Sequence, residues 1–320
     1  MAKKVGIITS GGDAPGMNAA VRAVTRYGIS LGYQMIGIRR GFKGLLEDDF
    51  VILSRRSVSR IINTGGTFLH TGRCPETKTK AGMNKAVRTI KELGLEGLII
   101  IGGDGSLAAG NAFSKQGVKV INIPASIDND IYGTDETIGY DTALNTAVEA
   151  IDKIRDTATS HDRIFVVEVM GREHGFLTLD VGIAAGCEFI IVPEMKLDIK
   201  KLAVELTKGK EKGKTSEIIA FAEGYGDSNE FGKKIAKLTG LEVRVSNLGY
   251  IQRGGTPTAR TRILASKFGV RAMQLLHAGK SNLLVGLVNG QITEIPIKTA
   301  VSKEKKFNVK EFKMLGELSL

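Results

Sequence analysis

Two doubly wound α/β domains built on mainly parallel sheets are the architecture this sequence predicts, and three observations predict it. Apolar runs of strand length recur without polar alternation, as in Val5–Ile8, Leu98–Ile101 and Ile164–Val169. Parallel strands buried on both faces read in this way. Helix-period apolar patterns follow these runs, and 40 glycines supply the tight turns in between. Finally, 320 residues are enough for two cores, since single cores stop growing at about 250–300 residues.

In chain order, residues 5–9 read as a buried strand that ends in Ser10-Gly11-Gly12-Asp13-Ala14-Pro15-Gly16. A helix follows from about Met17, with Ala20, Val21, Val24 and Tyr27 inward. Glycines let backbone N–H groups approach an anionic oxygen, and the helix N-terminus adds positive potential. The spacing fits neither the dinucleotide fingerprint nor the Walker A pattern. Arg22 and Arg26 share one face of this helix, as two solvated arginines also would. A second strand, 34–39, leads to Gly41-Phe42. Gly65-Gly66-Thr67 precedes a short strand-like run and then Thr71-Gly72-Arg73. Arg73 suits a position between phosphates or a surface ion pair. The Cys74 thiol beside it reads as a small apolar group, although Arg73 would favour its thiolate.

Lys85 to Leu93 is an amphipathic helix, and the strand 98–101 ends in Gly102-Gly103-Asp104-Gly105-Ser106 with a helix behind it. Asp104 suits magnesium there, while Gly105 and Ser106 offer N–H groups and a hydroxyl to phosphate oxygens. The apolar run from Val118 to Ile123 reaches Pro124, and Asp128, Asn129 and Asp130 follow, flanked by Gly133. Acidic residues at the carboxyl end of a parallel strand sit where open α/β sheets bind ligands. Phosphoryl transfer uses one carboxylate to take the hydroxyl proton and others to hold a metal. An Asx loop capping its own backbone has the same composition. A helix is expected over 138–160, with Ala143, Ala147, Ile151 and Ile154 on one face.

In the second half, the strand 164–169 ends in Met170-Gly171-Arg172 and a strand near 218–222 ends in Glu223-Gly224. The guanidinium of Arg172 is a planar fork that stays charged and binds phosphate bidentately. The cationic stretch from Lys196 to Lys214 alternates with Leu197, Ile199, Leu202 and Leu206 and reads as a helix with a solvated face. Few aromatics interleave with the cations, so the net charge of +11 argues for small phosphorylated ligands over nucleic acid. No apolar run reaches the roughly 18 residues of a membrane span. Two cysteines make no disulfide framework and fit a reducing cytoplasm.

The segments SGGDAPGMNAA, GGDGS, PASIDNDI, DTALNT, VVEVMGR and GYIQRGGTPTA, in this order and spacing, resemble those of bacterial ATP-dependent 6-phosphofructokinases. The similarity runs along the whole chain and thins after about residue 290. It implies phosphoryl transfer from ATP, with magnesium, to the 1-hydroxyl of fructose 6-phosphate. Carried over, Asp128 would be the general base, Asp104 and Asp130 would hold magnesium, and Ser126 would keep a hydroxyl beside the transferring group. Gly12, Arg73, Cys74 and the turn Gly103, Asp104, Gly105 and Ser106 would surround the ATP, with Phe42 near the adenine. Met170, Gly171, Arg172 and Glu223 would contact the sugar and the phosphoryl group. Arg163, Arg244, Tyr250 and Arg253 would hold the 6-phosphate.

The resemblance also implies a homotetramer and an effector site for phosphorylated ligands such as ADP or phosphoenolpyruvate. Arg22, Arg26, Arg55, Arg155, Lys212 and Lys214 match its cations, and Glu188 its magnesium ligand. Pyrophosphate-using relatives carry Asp and Lys at the places of Gly105 and Ala125, so Gly105 points to ATP. Tyr250 stands where histidine is usual, Arg60 where an acid is frequent, and Thr261 where Asp often precedes an arginine. Thr215 and Ser216 replace more basic residues. The implied domains are residues 1–138 with 251–301 for ATP and 139–250 with 302–320 for the sugar phosphate. NAD and lipid kinases share the Gly-Gly-Asp-Gly turn but lack the MGR and QRGG motifs. A silent regulatory subunit would have lost Asp104, Asp128, Asp130 or Arg172.

Overall fold

The computed structural model describes residues 2–72 and 74–318. In chain order it runs β1 (Lys4–Ser10), α1 (Met17–Ser30), β2 (Gln34–Ile38), α2 (Lys43–Glu47), β3 (Phe50–Leu53), α3 (Lys80–Glu92), β4 (Leu95–Gly102) and α4 (Asp104–Lys115). Then come β5 (Val120–Ser126), β6 (Ile138–Gly139), α5 (Tyr140–Ser160), β7 (Ile164–Val169), α6 (Phe176–Ala184), β8 (Phe189–Ile191), α7 (Ile199–Glu211) and β9 (Glu217–Ala222). The rest is α8 (Ser228–Thr239), β10 (Val243–Asn247), α9 (Ala259–His277), β11 (Leu283–Val288), β12 (Gln291–Pro296), α10 (Ile297–Ser302) and α11 (Val309–Leu318).

The chain divides into two compact units, Met1–Thr142 with Arg253–Lys305 and Ala143–Gln252 with Lys306–Leu320. The first holds a sheet in the order β12-β11-β5-β4-β1-β2-β3, with β6 paired to β5. Its neighbours are parallel except at the edges, where β3 and β12 run antiparallel. Ile8, Ile36, Leu98 and Ile100 pack on Ala86, Ile90, Leu107 and Phe113 of α3 and α4. On the other face Met35 meets α1 and α9 near Gly28 and Met273. Helices on both faces make the sheet doubly wound, as the sequence predicts.

The second unit has an all-parallel sheet, β10-β7-β9-β8. Ile164, Val166, Ile219 and Phe221 face Leu202, Leu206, Phe231 and Ile235 of α7 and α8, while Ile190 and Ala220 lie against Gly182 of α6. Among the described residues no helix is long and apolar enough to cross a membrane.

Four expectations need correction. The strand-like run after Thr67 is no strand: three residues with no adjacent ladder are held by single bonds, Arg40 N–H to Leu69 O and Thr9 Oγ1 to His70 O. α3 begins at Lys80, five residues early, because Thr79 caps it by accepting from the Gly82 N–H. The helix expected from 138 starts at Tyr140, after the short β6. The cationic helix is confined to Ile199–Glu211, capped by Asp198.

Candidate active site

β1 sends the chain through α1 to β2 on one side, and β4 lies on its other side. The crevice at the carboxyl ends of β1 and β4 is therefore a topological switch point, where open α/β sheets take ligands. Ser10 pairs with Gly102, and Gly102 with Pro124. The loops beginning at Gly11, Gly103 and Ile127 consequently leave the sheet side by side. A Cβ on Gly103 would sit 3.7 Å from that of Ser126, so the N-terminus of α4 adjoins the acidic loop.

Gly12 adjoins Arg253, whose guanidinium, the movable end of a long side chain, would have to shift to admit a Cβ there. Arg253 also donates to Asp13 at 2.8 Å. The structure thus sets Arg253 beside the β1–α1 loop. Above α4 the space over Gly105 is open, with nothing within 4 Å of where its Cβ would stand. First-turn N–H groups of a helix have no partner within it and favour anions. The Ser106 N–H is already committed to Gly103 O at 3.0 Å. Its buried hydroxyl lies under Gly11 and Gly102, so the exposed Asp104 and Gly105 form the rim.

The acidic loop is closed by neutral hydrogen bonds. The Asp128 N–H donates to Ser126 Oγ at 3.1 Å, and the Thr137 hydroxyl to Ser126 O at 2.6 Å. Asn129 adopts a left-handed backbone (φ 55°), which Asn tolerates better than most side chains. Its side chain donates to Asp135 O at 3.0 Å and accepts from the Thr137 N–H at 3.1 Å. This fixes Asp128 on one side of Asn129 and Asp130 on the other. Asp128 is buried and Asp130 half-buried.

Magnesium bound with nucleotide phosphates takes one or two protein carboxylates and no all-protein cage. Asp104 and Asp130, on adjoining loops, fit that donor set. Among the described residues no group of three or more His, Cys, Asp or Glu is placed to hold a metal.

Arg73 lies outside the described residues. The segment before it is tied to the β1–α1 loop by Thr71 Oγ1, which donates to Gly11 O at 2.7 Å. Phe42 is 5% exposed and packs on Phe113 with ring centroids 5.5 Å apart. It is first a core residue, and only an edge remains for an adenine. Burial, with Glu76 nearby, pushes the Cys74 thiol up rather than down. The sulfur packs against the core, which fits the small apolar reading and not a thiolate.

In the second unit β7 lies between β9 and β10, and Val169 pairs with Ala222 and Glu168 with Asn247. Met170, Glu223 and Leu248 leave this sheet at one edge. Glu223 accepts from the N–H groups of Gly171 (3.0 Å) and Arg172 (2.5 Å). One of its oxygens thus holds the Met-Gly-Arg turn, in which Arg172 is left-handed (φ 55°) and exposed. The Met170 N–H donates to the buried Gln252 at 3.3 Å. Tyr250 is 78% exposed. Arg163 and Arg244 converge on Glu242, at 3.0 and 2.6 Å. These guanidiniums hold the Glu242 carboxyl below its usual range.

The effector candidates fall into two sets. In the first unit Arg22 is half-buried and Arg26 donates to Arg55 O at 3.4 Å. In the second, Arg155 pairs with Glu188 at 3.2 Å and donates to Ala185 O and Gly186 O, each at 2.8 Å. Glu188 accepts from the Ile218 N–H as well. Lys212 and Lys214 are exposed beside Thr215. Thr261 has a clear local role: its hydroxyl lies 2.9 Å from Thr142 Oγ1 and 3.1 Å from the α9 cap, Thr258. Sequence reasoning gave no role to Asp13, Thr137, Glu136 or Gln252, although Asp13 and Gln252 lie in the SGGDAPG and QRGG motifs; Asn129 holds the loop backbone as an Asx residue does.

Residues 4–276 match the family model described as Phosphofructokinase. The chain is 52% identical over 331 aligned positions to the ATP-dependent 6-phosphofructokinase of Halothermothrix orenii, covering 99% of this chain and 100% of that protein. It is 50% identical to that of Clostridium tetani, covering 99% of each. Among solved structures, Pichia pastoris phosphofructokinase in the T-state matches with a TM-score of 0.88 and 36% identity over 94% of this chain. The chain spans 36% of the length of that fungal protein. The pyrophosphate-dependent phosphofructokinase of Marinobacter aquaeolei shares the fold, with a TM-score of 0.84 at 19% identity over 98% of this chain and 91% of that one.

Proposed function

The chain belongs to the phosphofructokinase family, and on that premise we propose that it transfers the γ-phosphoryl group of ATP to the 1-hydroxyl of fructose 6-phosphate. The observation that carries this reading is the convergence of the β1, β4 and β5 ends at one switch point. It joins a phosphate-accepting helix N-terminus to a carboxylate loop held in a single shape. Asp128 takes the proton from the 1-hydroxyl, the sugar oxygen bonds to the γ-phosphorus, and the bond to ADP breaks. Gly12, Arg73, Gly103 and Gly105 surround the nucleotide phosphates, with Ser106 buried behind them, and Ser126 lies beside the transferring group. Asp104 and Asp130 would hold magnesium, which neutralises charge on the phosphates when bound. Met170, Gly171 and Glu223 take the sugar, Arg172 the phosphoryl group, and Arg163, Arg244, Tyr250 and Arg253 the 6-phosphate. The open space over Gly105 suits the α-phosphate and ribose of ATP, where Asp in pyrophosphate-using relatives would crowd them.

We assign the nucleotide to the unit containing β1 and the sugar phosphate, apart from its Arg253 contact, to the unit containing β7. The same reading extends to a cytoplasmic homotetramer, in which Arg163 and Arg244 serve a neighbour's site. It also extends to an effector site for ADP or phosphoenolpyruvate formed by Arg22, Arg26, Arg55, Arg155, Glu188, Lys212 and Lys214. Asp128→Asn tests the core of the proposal. Its kcat should fall roughly 10²–10⁴-fold, with much smaller changes in KM. An unchanged kcat would remove Asp128 from the chemistry.

A further inference from the structure

The segment that returns from the acidic loop contains a buried carboxylate with no part in the roles assigned above. Glu136 is 6% exposed. Arg260, in the first turn of α9, reaches one of its oxygens with two nitrogens, Nε at 2.7 Å and a terminal nitrogen at 2.6 Å. The other carboxylate oxygen is buried with no hydrogen-bond partner among the described residues. The hydrogen bond to Glu136, and then the carboxylate's charge, push the Arg260 pKa up against partial burial, with Asp141 adding a little. Most of Arg260 faces solvent, so the pair is asymmetric: the cation is hydrated and the anion is not.

Glu136 lies between Asp135 and Thr137, the two residues that hold Asn129. Its own carbonyl accepts from the Thr134 hydroxyl at 2.7 Å. A buried carboxylate that loses its cation becomes an uncompensated charge and must move toward water. Outward movement of Glu136 carries Asp135 and Thr137 with it. Both clasps on Asn129 then loosen, and with them the Thr137 bond to Ser126 O. Asp128 and Asp130 flank Asn129, so their placement depends on a cation carried by α9.

We infer that the Glu136–Arg260 pair is a positioning device for the Asp128–Asp130 loop, acting through Asn129 and touching no substrate itself. The inference deepens the phosphoryl-transfer reading and rests on it for its kinetic consequence. Its structural part stands on the contacts alone.

The test compares wild type, Arg260→Gln, Glu136→Gln and the double variant, by steady-state kinetics and by amide hydrogen exchange on the whole protein. In Arg260→Gln, kcat should fall about 10–100-fold, since misplacing a reacting group by about 1 Å costs up to 10²-fold. KM for each substrate should stay within about threefold, because the change acts on placement of the base. Amides 127–137 should exchange faster while those of β4 keep their protection. The double variant buries no charge, and its kcat should return to within about fivefold of wild type, a non-additive result. Should Arg260→Gln not fold, Glu136→Gln decides: the inference expects a modest loss, and a hundredfold loss overturns it.

It is also overturned if folded Arg260→Gln keeps the wild-type kcat, or if the double variant is no better than Arg260→Gln. A parallel loss of protection in β4 would mean the pair serves only stability and would likewise overturn it. If wild type transferred no phosphoryl group from ATP to fructose 6-phosphate, the functional reading would fail. The exchange measurement would still test the positioning claim.

Discussion

The acidic loop of the first unit and the arginines of the second are held in place in opposite ways. Around Asp128, the backbone is fixed directly by neutral bonds from Ser126, Asn129 and Thr137, and the Glu136–Arg260 pair stands one step behind them. Charges in the second unit are tied to one another instead: Arg163 and Arg244 share Glu242, Arg155 holds Glu188, and Lys210 lies 3.4 Å from Asp162. Neutral buried bonds rigidify, and they depend little on salt or pH. Half-exposed ion pairs are weak and exchange partners easily. A loop that must place a base within ångströms gains from the first arrangement, and a surface that must release and recapture a phosphate gains from the second.

The largest effect that would sharpen this contrast is at Arg172, the cation held at the end of β7 by its own backbone. Arg172→Ala should lower kcat about 10²–10³-fold, the usual cost of removing a group aimed at transition-state charge. An effect confined to KM would assign Arg172 to ground-state binding instead.

Next comes Glu217, at the start of β9 and 4% exposed. Burial pushes its carboxyl up to about 7, while Lys214 lowers it and Glu188 raises it. The folded state therefore holds this proton more tightly than the unfolded chain does. Its stabilising contribution is complete below the ordinary value of 4.5 and is lost as pH rises through about 7. The full span is worth up to about 3 kcal/mol at 1.36 kcal/mol per pH unit. Glu217→Gln should be more stable than wild type at pH 8 and should flatten the unfolding profile between pH 5 and 7. Equal slopes in calorimetry would show that Glu217 titrates normally.

The smallest effect is expected at Glu242, which holds two guanidiniums that the proposed function gives to the 6-phosphate. Glu242→Gln should lower the half-saturating concentration of fructose 6-phosphate up to about fivefold, the scale of an exposed ion pair. Added salt should shrink the difference. A rise in that concentration would mean that Glu242 orients the arginines instead of restraining them.

The two regions also differ in how far sequence alone reveals them. Mostly apolar runs identify β1, β4, β5 and β7, and the glycines and acids at their ends mark the loops that follow. What escapes is whatever depends on a partner distant in sequence. Asn129 looks like any Asx residue until Thr137 and Asp135 close on it. Glu136 reads as a polar loop residue, and its partner lies 124 residues away. β3 is a half-exposed edge strand, too short to stand out. The pairings of Arg163, Arg155 and Arg253 leave no local trace either. Each is an arginine near a motif, and only the fold supplies its carboxylate.

The most direct measurement of the account is donor choice. Initial rates should be taken with purified protein, magnesium and fructose 6-phosphate, using ATP or pyrophosphate as donor, with products identified by phosphorus NMR. ATP-dependent phosphoryl transfer gives fructose 1,6-bisphosphate and ADP in equal amounts from ATP, and no turnover above background from pyrophosphate. Faster turnover with pyrophosphate, or ADP release that does not depend on fructose 6-phosphate, would contradict it.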